Sequence, residues 1–152
     1  MKIIDYDTKY SVQCNNCLLE AWQSVINRPQ YSINYIQKHT NANHLKTNLN
    51  RIALSTVNSE VIGIIYCKLI CNELYIKHLA VLPSYQGRGI AFALLNNVKQ
   101  YASDHNMKRM WLYTEEFNEK AIKFYERYGF VMKQIVEIVP NKEYSNLYEY
   151  IL

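Results

Sequence analysis

Apolar positions along the chain follow two rhythms, a period of two in some stretches and a recurrence every three or four residues in others, and these divide it into strands and helices. Met1 to Tyr6 alternates as a strand. Ser11 to Ile26 carries Val12, Leu18, Leu19, Trp22, Val25 and Ile26 at helical spacing, and Pro29 breaks the chain after it. Ser32 is placed to cap a second helix holding Tyr35 and Ile36, which gives way to the Asn-rich stretch from Thr40 to Asn50, read as a surface loop. Three β-branched and aromatic runs follow, Arg51 to Val57, Val61 to Ile70 and Glu73 to Leu82. The polar breaks at Asn58-Ser59 and Cys71-Asn72 predict that they are consecutive antiparallel strands.

A helix over Gly89 to His105, with Leu94, Leu95, Val98 and Tyr101 turned inward, leads to a strand over Lys108 to Thr114. A strand, crossover helix and strand in this order predict that Glu73 to Leu82 and Lys108 to Thr114 run parallel. Asn118 is placed to cap a helix from Glu119 to Tyr128, which Gly129 ends in a left-handed conformation. Phe130 to Val139 and Tyr144 to Leu152 form a closing hairpin around Pro140-Asn141. The elements add up to an α/β (α+β) fold, a mixed, mostly antiparallel central sheet of about seven strands flanked on its two faces by about four helices.

A length of 152 residues bounds this to one domain over residues 1–152. Lys plus Arg less Asp plus Glu is 17 minus 13, a net charge of +4, and the basic residues are scattered instead of forming a stripe. That distribution suits a small anionic ligand and argues against a nucleic-acid partner. No apolar run approaches the length of a membrane span, and Met1-Lys2-Ile3-Ile4-Asp5 lacks the apolar block of a signal peptide, so a cytoplasmic protein without a membrane partner is expected. The four cysteines pair by spacing, Cys14 with Cys17 and Cys67 with Cys71, as loosely spaced metal ligands would. Cys14 and Cys17 share one helical face and Cys67 alternates within a strand, so they read as small buried hydrophobes, and no metal is expected. His39 and His44 do not share a helical face, and His105 falls at a helix end.

Candidate chemistry concentrates between Val81 and Ala91, where an apolar strand runs through a turn bearing Gly87, Arg88 and Gly89 into a helix. The amides of a helix's first turn have no intrahelical partner, and the helix dipole adds roughly half a positive charge there, so this turn is a site for a pyrophosphate. Ile90 and Ala91 stand where a nucleotide-binding P-loop needs its lysine and hydroxyl, and Phe92 stands where a dinucleotide fingerprint needs its third glycine.

Gln86-x-x-Gly89-x-Ala91 is similar to the Q/R-x-x-G-x-G/A signature of the GNAT superfamily of N-acetyltransferases. Asn118, then Phe124-Tyr125, then Gly129-Phe130 resembles that family's second hallmark, in the right order downstream, and the resemblance covers Val57 to Val136. It implies the fold outlined above and acetyl-CoA as cosubstrate, lying between the strand that ends at Val81 and the strand Lys108 to Thr114. It further implies that pantetheine pairs with the backbone of Leu79, Ala80 and Val81, and that the amides around Gln86, Gly87, Arg88, Gly89, Ile90 and Ala91 hold the pyrophosphate. Asn118 would bond the pantetheine arm, and Tyr125 would protonate the leaving thiolate. A phenol near 10 stays protonated at neutral pH yet lies within about two units of a thiol, which suits a general acid. Spacing alone would place Tyr125 in the core, and the Asn118 and Gly129-Phe130 frame is what marks it as catalytic.

The acceptor implied is a primary amine, of a small molecule or a peptide, attacking directly in a ternary complex, and a homodimer is compatible with the family. An amine with a pKa near 10.4 costs roughly 4 kcal/mol to deprotonate at neutral pH, so a base or water must assist. Glu73 and His78 are the candidates, on opposite faces of one strand, with Glu73 early in it. The resemblance puts the acceptor cleft between residues Asn27 to Tyr35 and the hairpin near Pro140 to Tyr144, with Trp22, Tyr31 and Tyr35 as walls. The alternative function is a module that binds acyl-CoA for regulation without turnover.

Overall fold

Seven strands join in one sheet in the order β1-β2-β3-β4-β5-β7-β6 in the computed structural model, which describes residues 1–25, 49–139 and 143–152. The elements are β1 (Lys2–Asp5), α1 (Ser11–Val25), β2 (Asn50–Leu54), β3 (Val61–Ile70), β4 (Glu73–Val81), α2 (Ile90–Asp104), β5 (Arg109–Glu115), α3 (Glu119–Tyr128), β6 (Val131–Val139) and β7 (Glu143–Ile151). Pairing is antiparallel between β1 and β2, β2 and β3, β5 and β7, and β6 and β7, and parallel between β4 and β5. The mixed, mostly antiparallel sheet and the parallel pair are therefore as the sequence predicts. Three α-helices are present among the described residues. The helix expected after Ser32, residues 40–48 of the Asn-rich loop, Tyr31, Tyr35, His39, His44 and the turn at Pro140-Asn141 lie outside them, while Leu49 and Asn50, expected at the end of that surface loop, are buried, with Asn50 opening β2.

The chain divides into two compact units, Met1–Cys67 with His78–Val98, and Lys68–Lys77 with Lys99–Leu152. In the first, Ile52, Ile64, Ile65, Leu94, Leu95 and Val98 are fully buried. Helix α1 contributes Cys14, Cys17, Leu18 and Ala21, one stripe at spacings of three and four. Val12, expected on that face, is 69% exposed. Strand β2 stops at Leu54 instead of running to Val57, because Ser55 turns the chain: its amide donates to the Glu60 carbonyl and its own carbonyl accepts from Ser59. Burial pushes the Cys14 and Cys17 thiols up to about 11 and about 12, and Cys67 upward as well, so all three are neutral thiols at physiological pH and behave as core.

The second unit contains the turn at Cys71 and Asn72, both at positive φ, the conformation a two-residue hairpin loop requires. In β5, Met110, Leu112 and Thr114 are buried while Arg109, Trp111, Tyr113 and Glu115 occupy the other, more open face. Helix α3 starts and ends where the sequence places it. The Asn118 side chain accepts from the Ala121 amide at 3.2 Å, and Gly129 closes the helix at φ 115°.

Candidate active site

In the first unit, β4 delivers Ala80 and Val81 buried, and Leu82 buried after them, to a 3-10 turn over Pro83–Tyr85. Gln86 follows in an extended conformation, and its side-chain Nε2 donates back to the Val81 carbonyl at 3.0 Å. That bond ties the end of the strand to the start of the glycine turn. Gly87 and Gly89 have φ of 77° and 78°, a region costly to residues with a Cβ. Apart from the adjoining residues of the chain, no atom of the described residues lies within 4 Å of a Cβ built at either, so their backbone angles and not crowding explain the glycines.

Gly87, Arg88 and Gly89 are exposed. Among the described residues none of the amides of Gly87, Arg88, Gly89 and Ile90 donates to a main-chain carbonyl, and the first bond of α2 runs from Ala93 to the Gly89 carbonyl. Donors so placed, at the positive end of a helix of 15 residues, are suited to an anion. The Arg88 guanidinium adds a full charge and lies 5.2 Å from the Tyr85 ring centre. The turn thus brings together Gln86, Gly87, Arg88, Gly89, Ile90 and Ala91, with Leu79, Ala80 and Val81 on the strand that feeds it.

The turn is held at this height over the sheet by Gly63, a residue outside the glycine motif. A Cβ at Gly63 of β3 would come 2.8 Å from Ile90 Cγ2, 3.1 Å from Leu94 Cδ1 and 3.3 Å from the Ala80 carbonyl oxygen. The first turn of α2 lies on the bare backbone of that glycine. A single glycine inside a strand run is the signal that could have found it. His78, on the same unit, is half-buried, with its ring edgewise to Tyr66 at 6.3 Å. Tyr66 is itself buried, and desolvation raises its phenol pKa far above the ordinary value.

The second unit holds Glu73, Asn118 and Tyr125. Asn118 spends its side-chain oxygen on the α3 cap, and its Nδ2 carries the two remaining donors of the side chain. Tyr125 is the buried residue of α3, 7% exposed, with its ring edgewise to Phe124 at 5.2 Å and to Phe130 at 5.5 Å. Gly129 and Phe130 both donate amides to its carbonyl, so the left-handed cap fixes the turn on which the tyrosine sits. Glu73 is engaged by Arg109, Nε to Oε2 at 3.0 Å, and Arg109 also bonds Glu149 at 2.8 Å. The Arg109 contact joins residues far apart in sequence, and no local pattern announces it. Among the described residues no three His, Cys, Asp or Glu side chains could hold a metal ion together, and no helix is long and apolar enough to cross a membrane.

Residues 15–130 match the family model described as the acetyltransferase (GNAT) family. An uncharacterized N-acetyltransferase of Methanocaldococcus jannaschii is 32% identical over 90 residues, 53% of this chain and 39% of that protein. The [ribosomal protein bS18]-alanine N-acetyltransferase of Haemophilus influenzae is 30% identical over 73 residues, 48% of this chain and 49% of that one. The matched segments thus span less than half the length of these relatives. Among solved structures, the PaiA N-acetyltransferase of Thermoplasma acidophilum in complex with coenzyme A has the same fold, with a TM-score of 0.80 at 18% identity over 98% of both chains.

Proposed function

Because the chain belongs to the acetyltransferase (GNAT) family, we propose that residues 1–152 form a single N-acetyltransferase domain that moves the acetyl group of acetyl-CoA to a primary amine by direct attack in a ternary complex. The observation that carries this reading is the glycine turn, with its outward amides from Gly87 to Ile90 and Arg88 beside them. The pyrophosphate of acetyl-CoA is the anion such a cradle fits, with Leu79, Ala80 and Val81 offering backbone to the pantetheine arm and the Asn118 amide a further donor. The crystal structure in complex with coenzyme A that shares this fold supports the cosubstrate.

In the step itself, the neutral amine attacks the thioester carbonyl carbon, the C–N bond forms and the C–S bond breaks. The leaving thiolate takes its proton from the Tyr125 phenol, and the ammonium formed by attack gives its proton to solvent or to His78. His78 is favoured over Glu73 because the Glu73 carboxylate is committed to Arg109. The relative that acts on an alanine of a ribosomal protein supports an amine acceptor, whether small or part of a peptide. Titration calorimetry with acetyl-CoA and CoA, followed by thiol release across a panel of amines, tests the reading. Binding with release is expected. Binding without release to any amine would favour a regulatory acyl-CoA module, and absence of binding would remove the cofactor assignment.

A further inference from the structure

Thr114 follows Met110 and Leu112 as an inward residue of β5, and it is 3% exposed. Its Oγ1 is enclosed and meets no hydrogen-bond partner among the described residues. Asn146 of β7 stands directly opposite in register, and the bond that such a pair could form is not made. A buried hydroxyl left in this condition costs stability, and valine would fill nearly the same space without that cost. Packing alone gives no reason for threonine here.

The surroundings of that hydroxyl follow from how β4 and β5 part. Their parallel ladder sets Leu74 opposite Met110 and Tyr75 opposite Trp111, where the two rings stack at 4.4 Å, and Ile76 and Lys77 do not continue it. From Leu112 to Glu115, β5 keeps its ladder with β7 on one side, and its other edge is left unpaired by these β4 residues. Tyr113 turns to the face that carries the Tyr75 and Trp111 rings, and Thr114 turns to the opposite one. Helix α3 bonds to the Thr114 face: Tyr148, opposite Leu112, donates its hydroxyl to Glu126 at 3.1 Å, and Glu126 adjoins Tyr125. The unpaired hydroxyl thus stands beside the open edge of β5, on the face served by the helix that carries Tyr125.

A polar group enclosed among apolar ones and left unpaired is the kind of group that a binding site holds ready for its ligand. The ligand that the proposed function lays along β5 is the acyl-pantetheine arm of acetyl-CoA, whose amides and thioester all present carbonyl oxygens. A threonine hydroxyl has one proton to donate and suits such an acceptor. We propose that Thr114 binds this arm, its hydroxyl donating to a carbonyl oxygen and so fixing where the thioester lies along β5. The inference rests on the acetyl transfer proposed above.

Thr114→Val removes the hydroxyl and nearly keeps the shape. Because the hydroxyl has no partner inside the protein, the variant is expected to unfold at a urea concentration equal to or above that of the parent. Its affinity for the arm is expected to fall by roughly three- to tenfold, the scale of one lost hydrogen bond. Titration calorimetry with CoA and with acetyl-CoA reads this second effect: an equal loss for both places the bond at a pantetheine amide, and a loss confined to acetyl-CoA places it at the thioester carbonyl. Thr114→Ser is expected to restore most of the affinity. Unchanged affinity of Thr114→Val for both ligands overturns the inference, as does a Thr114→Ser protein that binds no better than Thr114→Val. A Thr114→Val protein that is less stable than the parent, or does not fold, overturns it too, since the hydroxyl would then be bonded within the fold. Those outcomes leave acetyl transfer standing, whereas failure of the parent to bind CoA and acetyl-CoA would remove the transfer reaction and this inference with it.

Discussion

Gly63 of β3 and Ile90, the first residue of α2, approach so closely that a Cβ on the glycine would lie 2.8 Å from Ile90 Cγ2. The first turn of α2, where the anion site is proposed, is therefore positioned by a strand residue with no polar atom in its side chain. Ile90 is β-branched and stiff at χ1, and the Ala80 carbonyl blocks escape toward β4, so an added methyl has to displace the helix. Gly63→Ala is expected to lower stability by about 1–3 kcal/mol and to weaken acetyl-CoA binding severalfold. Denaturant unfolding and calorimetry on the same variant check both, and unchanged affinity in a folded Gly63→Ala protein would show that the helix position does not matter to the ligand.

Gly87 and Gly89 differ from Gly63 in having open space around them and left-handed backbone angles. Alanine at either should cost roughly 1–2 kcal/mol through conformation alone. Asparagine, which tolerates this region, should cost less. The ordering glycine, asparagine, alanine in unfolding midpoints is the expected result, and a cost for alanine no larger than for asparagine would refute the conformational account.

Tyr125→Phe keeps the ring contacts with Phe124 and Phe130 and removes only the hydroxyl. Turnover should fall by roughly 10²-fold or more, the usual scale of a general acid, with acetyl-CoA affinity nearly intact. Steady-state kinetics paired with a binding isotherm separates the two, and unchanged kcat would return Tyr125 to a packing role.

Glu149 accepts from Lys133 and from Arg109, and these bonds, that from Lys133 foremost, hold its carboxyl below the usual carboxylate range. A group whose pKa is depressed by folding stabilises the native state above its unfolded pKa, and the contribution disappears as pH falls through the folded value. Glu149→Gln should therefore be less stable than the parent at pH 7, by on the order of 1 kcal/mol or less for pairs this near the surface, and equal to it in strong acid. Urea midpoints at the two pH values measure this, and a gap that persists in acid would point to packing instead of charge.

Helix α3 was legible to the residue because its two ends are written in local chemistry, an asparagine oxygen at one and a left-handed glycine at the other. The glycine turn was legible for the same reason. Strand β2 was read three residues too long, since Val57 is β-branched and apolar yet 93% exposed in a turn shaped by Ser55, Ser59 and Glu60. The commitment of Glu73 to Arg109 was invisible because its partner lies on a strand reached only after α2. The Tyr75, Trp111 and Tyr113 face arises from parallel register between β4 and β5, which sequence spacing predicts as a pairing and not residue by residue.

Gln86 closes its side chain onto the Val81 carbonyl at 3.0 Å. A bond of that kind shifts the entropic burden of shaping the loop from association to folding, which on the proposed acetyl-CoA reading would offer the diphosphate donors already aimed. On that proposal Gln86→Ala would slow capture or loosen retention while leaving every main-chain donor in place, and the glutamine would serve recognition without having to touch what is recognised.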